Sequence, residues 1–125
     1  MKKAAPATAA PSRADKPERW HTAAGDADVA TLVIPADSFR TRRFEIDCRL
    51  VVMQLAAGAT HGMRVDVDGH LEWTREAPTH NPGHTDSMDY HFRRELAVGQ
   101  ALRIVVKTRA KQARRMALTI EAEEG

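Results

Sequence analysis

Six histidines, at positions 21, 61, 70, 80, 84 and 91, are the residues of this chain whose number and placement could do chemistry. The closest grouping is His80, His84 and Asp86. Two imidazoles and a carboxylate are donors that zinc or a similar divalent ion accepts. This trio is therefore the candidate metal site, with His61, His70 or His91 as further donors. A metal-dependent enzyme is the function it would imply. A four-residue spacing puts two histidines on one face of a helix, but Pro82 and Gly83 intervene and exclude one. A loop would have to bring the donors together, and a polar exposed loop is the competing reading.

A second kind of chemistry is ring stacking. β-sandwich modules that hold sugars lay the pyranose ring on an exposed indole or phenol. Trp73 and Tyr90, with His70 nearby, are the candidate ligand-binding residues. Aromatic residues make up only 5% of the chain, so the core competes for each of them.

Other signatures fail on inspection. The cupin type of jelly-roll metalloenzyme needs a closely paired His-x-His, and Met63 stands two places after His61. Asp66-x-Asp68-Gly69 starts like a calcium loop, but its twelfth position is Ala77 and not Glu. Ser12, Ser38 and Ser87 sit in no Gly-x-Ser-x-Gly elbow. The glycines are too scattered to cradle a phosphate. Cys48, the single cysteine, lies in an apolar pattern and reads as a buried small hydrophobe.

The elements that must position these side chains follow from period-two alternation. Val29–Ile34 is β-rich and stops at Pro35. Phe44, Ile46, Cys48, Leu50 and Val52 alternate with charged residues over most of their length. Met63, Val65 and Val67, then Leu71 and Trp73, flank Asp68-Gly69 and predict a hairpin. A two-residue turn would set Val65 opposite Glu72, mixing core and solvent residues. A three-residue loop sets Val67 opposite Leu71 and Val65 opposite Trp73, and is preferred. A turn-rich loop spans residues 77–86, and Tyr90, Phe92 and Leu96 follow in a strand. Leu102, Ile104 and Val106, then Met116, Leu118, Ile120 and Ala122, predict a terminal hairpin turning near Lys111. The composition of residues 109–118 would also suit a short helical turn.

About seven to eight such strands imply an all-β fold, an antiparallel β-sandwich or jelly roll, over residues 28–125. Residues 1–27, rich in Ala, Pro and charge, read as a disordered basic tail in which Trp20 alone could dock back.

The net charge of +2 resides in that tail, where Lys2, Lys3, Arg13, Lys16 and Arg19 outnumber Asp15 and Glu18. The remaining body is close to neutral, which argues against nucleic acid as a partner. The clusters Arg40, Arg42, Arg43 and Lys107, Arg109, Lys111, Arg114, Arg115 read as solvated strand faces or loops. No apolar run approaches the roughly 20 residues that cross a bilayer. The Ala/Pro-rich start is too proline-broken for a secretory signal. Membrane contact is not expected, and a cytoplasmic location is. These readings converge on a non-catalytic binding or assembly module acting through its surface. Its partner would be a carbohydrate or a protein, and exposed sheet edges favour a homo-oligomer. No cofactor is implied other than a divalent metal at the His80, His84, Asp86 trio.

Overall fold

Alternating side chains from Val29 onward must form ribbons with one apolar face, and two such faces must meet. In the computed structural model, which describes residues 16–125, they do. The strands are β1 (Arg19–Ala23), β2 (Val29–Ile34), β3 (Arg42–Gln54), β4 (Thr60–Val67), β5 (His70–Pro78), β6 (Thr85–Leu96), β7 (Leu102–Lys111) and β8 (Ala113–Glu124). No helix occurs among the described residues, so none is long and apolar enough to cross a membrane.

One four-stranded sheet has the order β1-β8-β3-β6 and the other β2-β7-β4-β5, with all neighbours antiparallel. Strand 1 pairs with 8, 2 with 7, 3 with 6 and 4 with 5, as if one long hairpin had been wound into two sheets. That is the jelly-roll order. Between the sheets lie Phe44, Ile46, Leu50 and Val52 of β3, Leu118 and Ile120 of β8, Met63 and Val65 of β4, and Ile104 and Val106 of β7. Burying one such side chain stabilises the fold by roughly 1.5–3 kcal/mol. Cys48 is fully buried among them, and burial, with the Asp47 charge beside it, pushes its thiol up to about 12. It has no thiolate reactivity to offer at neutral pH.

Four expectations are corrected. Residues 19–23, placed by sequence in the disordered tail, form β1. Trp20 packs on the core, and the backbone pairs with β8 from Arg19↔Glu123 to Ala23↔Thr119. Residues 1–15 of that tail lie outside the described residues.

β7 and β8 are not a hairpin. They belong to opposite sheets and exchange over a single residue, Gln112, at φ 54°. Parity could not tell the two arrangements apart, because both put Ile104 and Leu118 inward. The corner is held by Arg115, whose Nε donates to Thr108 Oγ1 at 2.8 Å, and residues 109–118 contain no helical turn.

The β4–β5 hairpin uses the two-residue turn after all. Asp68 (φ 51°) and Gly69 (φ 81°) both adopt left-handed backbone, which suits a tight turn of the primed kind. Val67 pairs with His70 and Asp66 with Leu71, and a bulge at Glu72 then restores the expected Val65↔Trp73 pair.

Arg42, read as a solvated cation, is 2% exposed. Its guanidinium donates to Glu18 Oε1 at 2.8 Å and to the Pro35 carbonyl at 2.8 Å. Arg40 adds a 2.9 Å bond to Glu18 Oε2 and pairs with Glu124. This network ties the entry to β1, the start of β3 and the end of β8 together.

Candidate functional site

β5 and β6 are the edge strands of their sheets on the same side of the sandwich. Their inward-facing side chains meet along a seam that no backbone ladder closes. The bulge at Glu72 sets its composition. Leu71 is turned to the outer face and is 53% exposed, whereas Trp73 faces inward and is half-buried. Trp73 stacks on Tyr90 with ring centroids 4.7 Å apart and planes 11° apart, and Tyr90 stacks in turn on Phe92 at 5.4 Å. Such pairs add about 0.5–1.5 kcal/mol beyond their burial.

Polar groups border the stack. The Tyr90 hydroxyl donates to Glu72 Oε2 at 2.9 Å, and Arg94 pairs with Glu72 Oε1 while lying over the Phe92 ring. Burial, then the Glu72 carboxylate, raises the Tyr90 phenol above its ordinary value, so it remains a donor at neutral pH.

Toward the 79–84 loop the seam widens into a depression of about 340 Å³ lined by His61, Arg75, Ala77, His80, Asp86 and Met88, among others. His61 is 2% exposed, and its Nδ1 lies 2.7 Å from Thr79 Oγ1. Burial holds its pKa below the ordinary histidine value, against the opposing pull of Asp86. The ring is therefore neutral at pH 7 and can offer one donor and one acceptor. Trp73, Arg75 and Ala77 lie on one face of β5 over four residues, about 13 Å of strand.

The predicted ligand residues Trp73 and Tyr90 are thus in contact, while His70 is exposed at the hairpin turn. Of the predicted metal trio, His80 and Asp86 border the same depression. His84 stays in the exposed loop, its backbone N–H bonded to the Asn81 carbonyl. Among the described residues no three His, Cys, Asp or Glu side chains are gathered so as to hold a metal ion. Sequence reasoning missed Glu72 and Arg94, because plain alternation sends Glu72 to the solvent side. Their only signal was that an in-register two-residue turn demanded a compensating bulge.

No family model and no curated protein matches this chain. Its fold has solved counterparts. Dimeric latent PorU from Porphyromonas gingivalis aligns with a TM-score of 0.52 at 8% identity, over 84% of this chain and 11% of that one. The mosquito-larvicidal Cry4Aa toxin from Bacillus thuringiensis aligns with a TM-score of 0.51 at 12% identity, over 81% of this chain and 18% of that one. The chain therefore spans under a fifth of either protein, and the likeness is one of fold alone. The VP2 subviral particle of infectious bursal disease virus aligns more loosely, with a TM-score of 0.47 at 13% identity, over 87% of this chain and 32% of that one.

Proposed function

We propose that this jelly roll is a non-catalytic binding module that takes a carbohydrate along the β5–β6 seam. The observation that carries the reading is the half-buried Trp73, stacked on Tyr90 at an open sheet edge and bordered by the Glu72–Arg94 pair. A pyranose ring offers C–H groups on its face and hydroxyls on its rim. An aromatic surface takes the first, and a carboxylate, a guanidinium and a phenol take the second. Each oxygen of Glu72 keeps acceptor capacity beyond the bond it makes. The run of about 13 Å from Trp73 to Ala77 is longer than one sugar ring, which favours a linear oligosaccharide over a monosaccharide.

The experiment is a titration of oligosaccharides followed by indole emission. A Trp20→Phe background leaves Trp73 as the sole tryptophan. Binding is expected to shift that emission. Trp73→Ala, followed by calorimetry, is expected to weaken affinity at least tenfold, about 1.4 kcal/mol, and Glu72→Gln severalfold. An unchanged affinity in Trp73→Ala, or no binding across neutral, acidic and amino-sugar oligomers, contradicts the reading.

A further inference from the structure

The two outer faces of the sandwich carry mixed charge with opposite excess, acidic on one although Arg19, Arg43, Arg49 and Arg93 lie there too, and each places like charges directly opposite one another on its two central strands. On the β1-β8-β3-β6 sheet, Glu45 faces Glu123 and Asp47 faces Glu121. On the β2-β7-β4-β5 sheet, Arg64 faces Lys107. Like charges in such cross-strand positions destabilise a sheet, so both faces hold charge that folding alone does not favour.

Neighbours answer part of it. Arg19 pairs with Glu123, Arg93 with Glu45, and His91 bridges Glu45 and Asp47 at 2.7 and 2.8 Å. Arg64 reaches Asp66 at 3.0 Å. Arg109 approaches Glu76 at 3.5 Å, lying over Gly62, where an added Cβ would stand 3.2 Å from its guanidinium. Among the described residues Glu121 on one face, and Arg103, Lys107 and Lys111 on the other, have no ion-pair partner. The acidic face is indented on both sides of Asp47 and Glu121 by depressions of about 410 and 420 Å³; Arg19, paired with Glu123, lines the first, and Arg49, paired with Asp89 at 3.7 Å, lines the second. The basic face adds exposed Val29 and Val33 beside the half-buried Val105.

We infer that these faces bind each other between copies, with the β7 cations of one copy seated on the Asp47–Glu121 strip of the next. Lys107 and Arg109, two residues apart, project about 7 Å apart along β7, which is also the spacing of successive side-chain rows on the acidic face. Because the two surfaces differ, the contact is head-to-tail, so the product is a chain or ring of copies and not a symmetric dimer. Neither face includes the seam, so this inference stands or falls apart from the carbohydrate reading.

The test is sedimentation velocity on the full chain across a concentration series. At low ionic strength the average mass is expected to rise with concentration. At about 1 M salt, where the Debye length is about 3 Å, the protein is expected to return to monomer. Lys107→Glu and Glu121→Lys are each expected to be monomeric alone, and an equimolar mixture of the two to associate again, since one intact face remains on each. Thermal melts verify that both are folded, and Lys107→Gln and Glu121→Gln replace any variant that is not. A wild type that stays monomeric at low salt overturns the inference. So does a discrete dimer indifferent to both substitutions, or a mixture that stays monomeric.

Discussion

Two sets of arginine–glutamate pairs close the two sides of this sandwich, and they do different work. On the β1 side, Arg42 is buried, and Glu18 receives both Arg40 and Arg42 as well as the Trp20 indole N–H. On the β6 side, the Arg94–Glu72 pair retains side-chain exposures of 37% and 18% and lies beside an aromatic stack at an open edge. The difference lies in the arginine: Arg42 is enclosed by chain and ties three strand ends together, whereas Arg94 borders solvent, although the carboxylates Glu18 and Glu72 are similarly part-buried at 15% and 18%. The same residue types therefore mark structure in one place and, on the proposed function, recognition in the other. Burial and enclosure distinguish them, where charge content does not.

The sharpest way to break this comparison is to remove each arginine. Arg42→Ala empties the space of a buried guanidinium and leaves the part-buried Glu18 with Arg40 alone as counter-charge, and is expected to cost about 3 kcal/mol in urea unfolding. Arg94→Ala removes a part-exposed pair and is expected to cost about 1 kcal/mol or less, while weakening oligosaccharide binding. Equal losses of stability would erase the distinction. A smaller effect separates two histidines. His61 has its pKa lowered by burial, so as pH falls below the ordinary value of about 6.5 the unfolded chain takes the proton first and stability drops. His91 has its pKa raised by its bonds to Asp47 and then Glu45. Its contribution is full below about pH 6.5 and is lost as pH rises through the raised value. Because His91 is about half exposed, that contribution is expected to stay under about 1 kcal/mol. Melting temperatures of His61→Asn and His91→Gln across pH 5 to 9, set against wild type, are expected to move in opposite pH ranges.

The seven strands from Val29 onward were legible because most bury alternate residues, as β2 and β3 do, while β5, which buries none fully, was marked by the Asp68-Gly69 turn before it. β1 was not, because its five residues contribute only Trp20 to the core and are held mainly by backbone pairing to β8 and by Glu18. The β7–β8 crossover was hidden by parity, which is the same within a sheet and between sheets. At the site, Trp73 and Tyr90 could be named from residue type. Glu72 and Leu71 were misassigned by one bulge, which exchanged the faces they occupy. His84 was grouped with His80 and Asp86 by sequence proximity, which says little about a loop whose backbone turns at Asn81–His84.

Carbohydrate is proposed to bind at the β5–β6 seam, and neither on the sheet faces nor at the Arg42 network. Backbone amide chemical shifts, followed while a linear oligosaccharide is titrated, test it most directly. The account predicts perturbations confined to residues 70–78, the 79–84 loop and the 85–96 strand, with the Trp73 indole N–H among the largest. Shifts centred on Lys107 and Arg109, or on Asp47 and Glu121, would contradict it, as would a saturating ligand that leaves Trp73 unmoved.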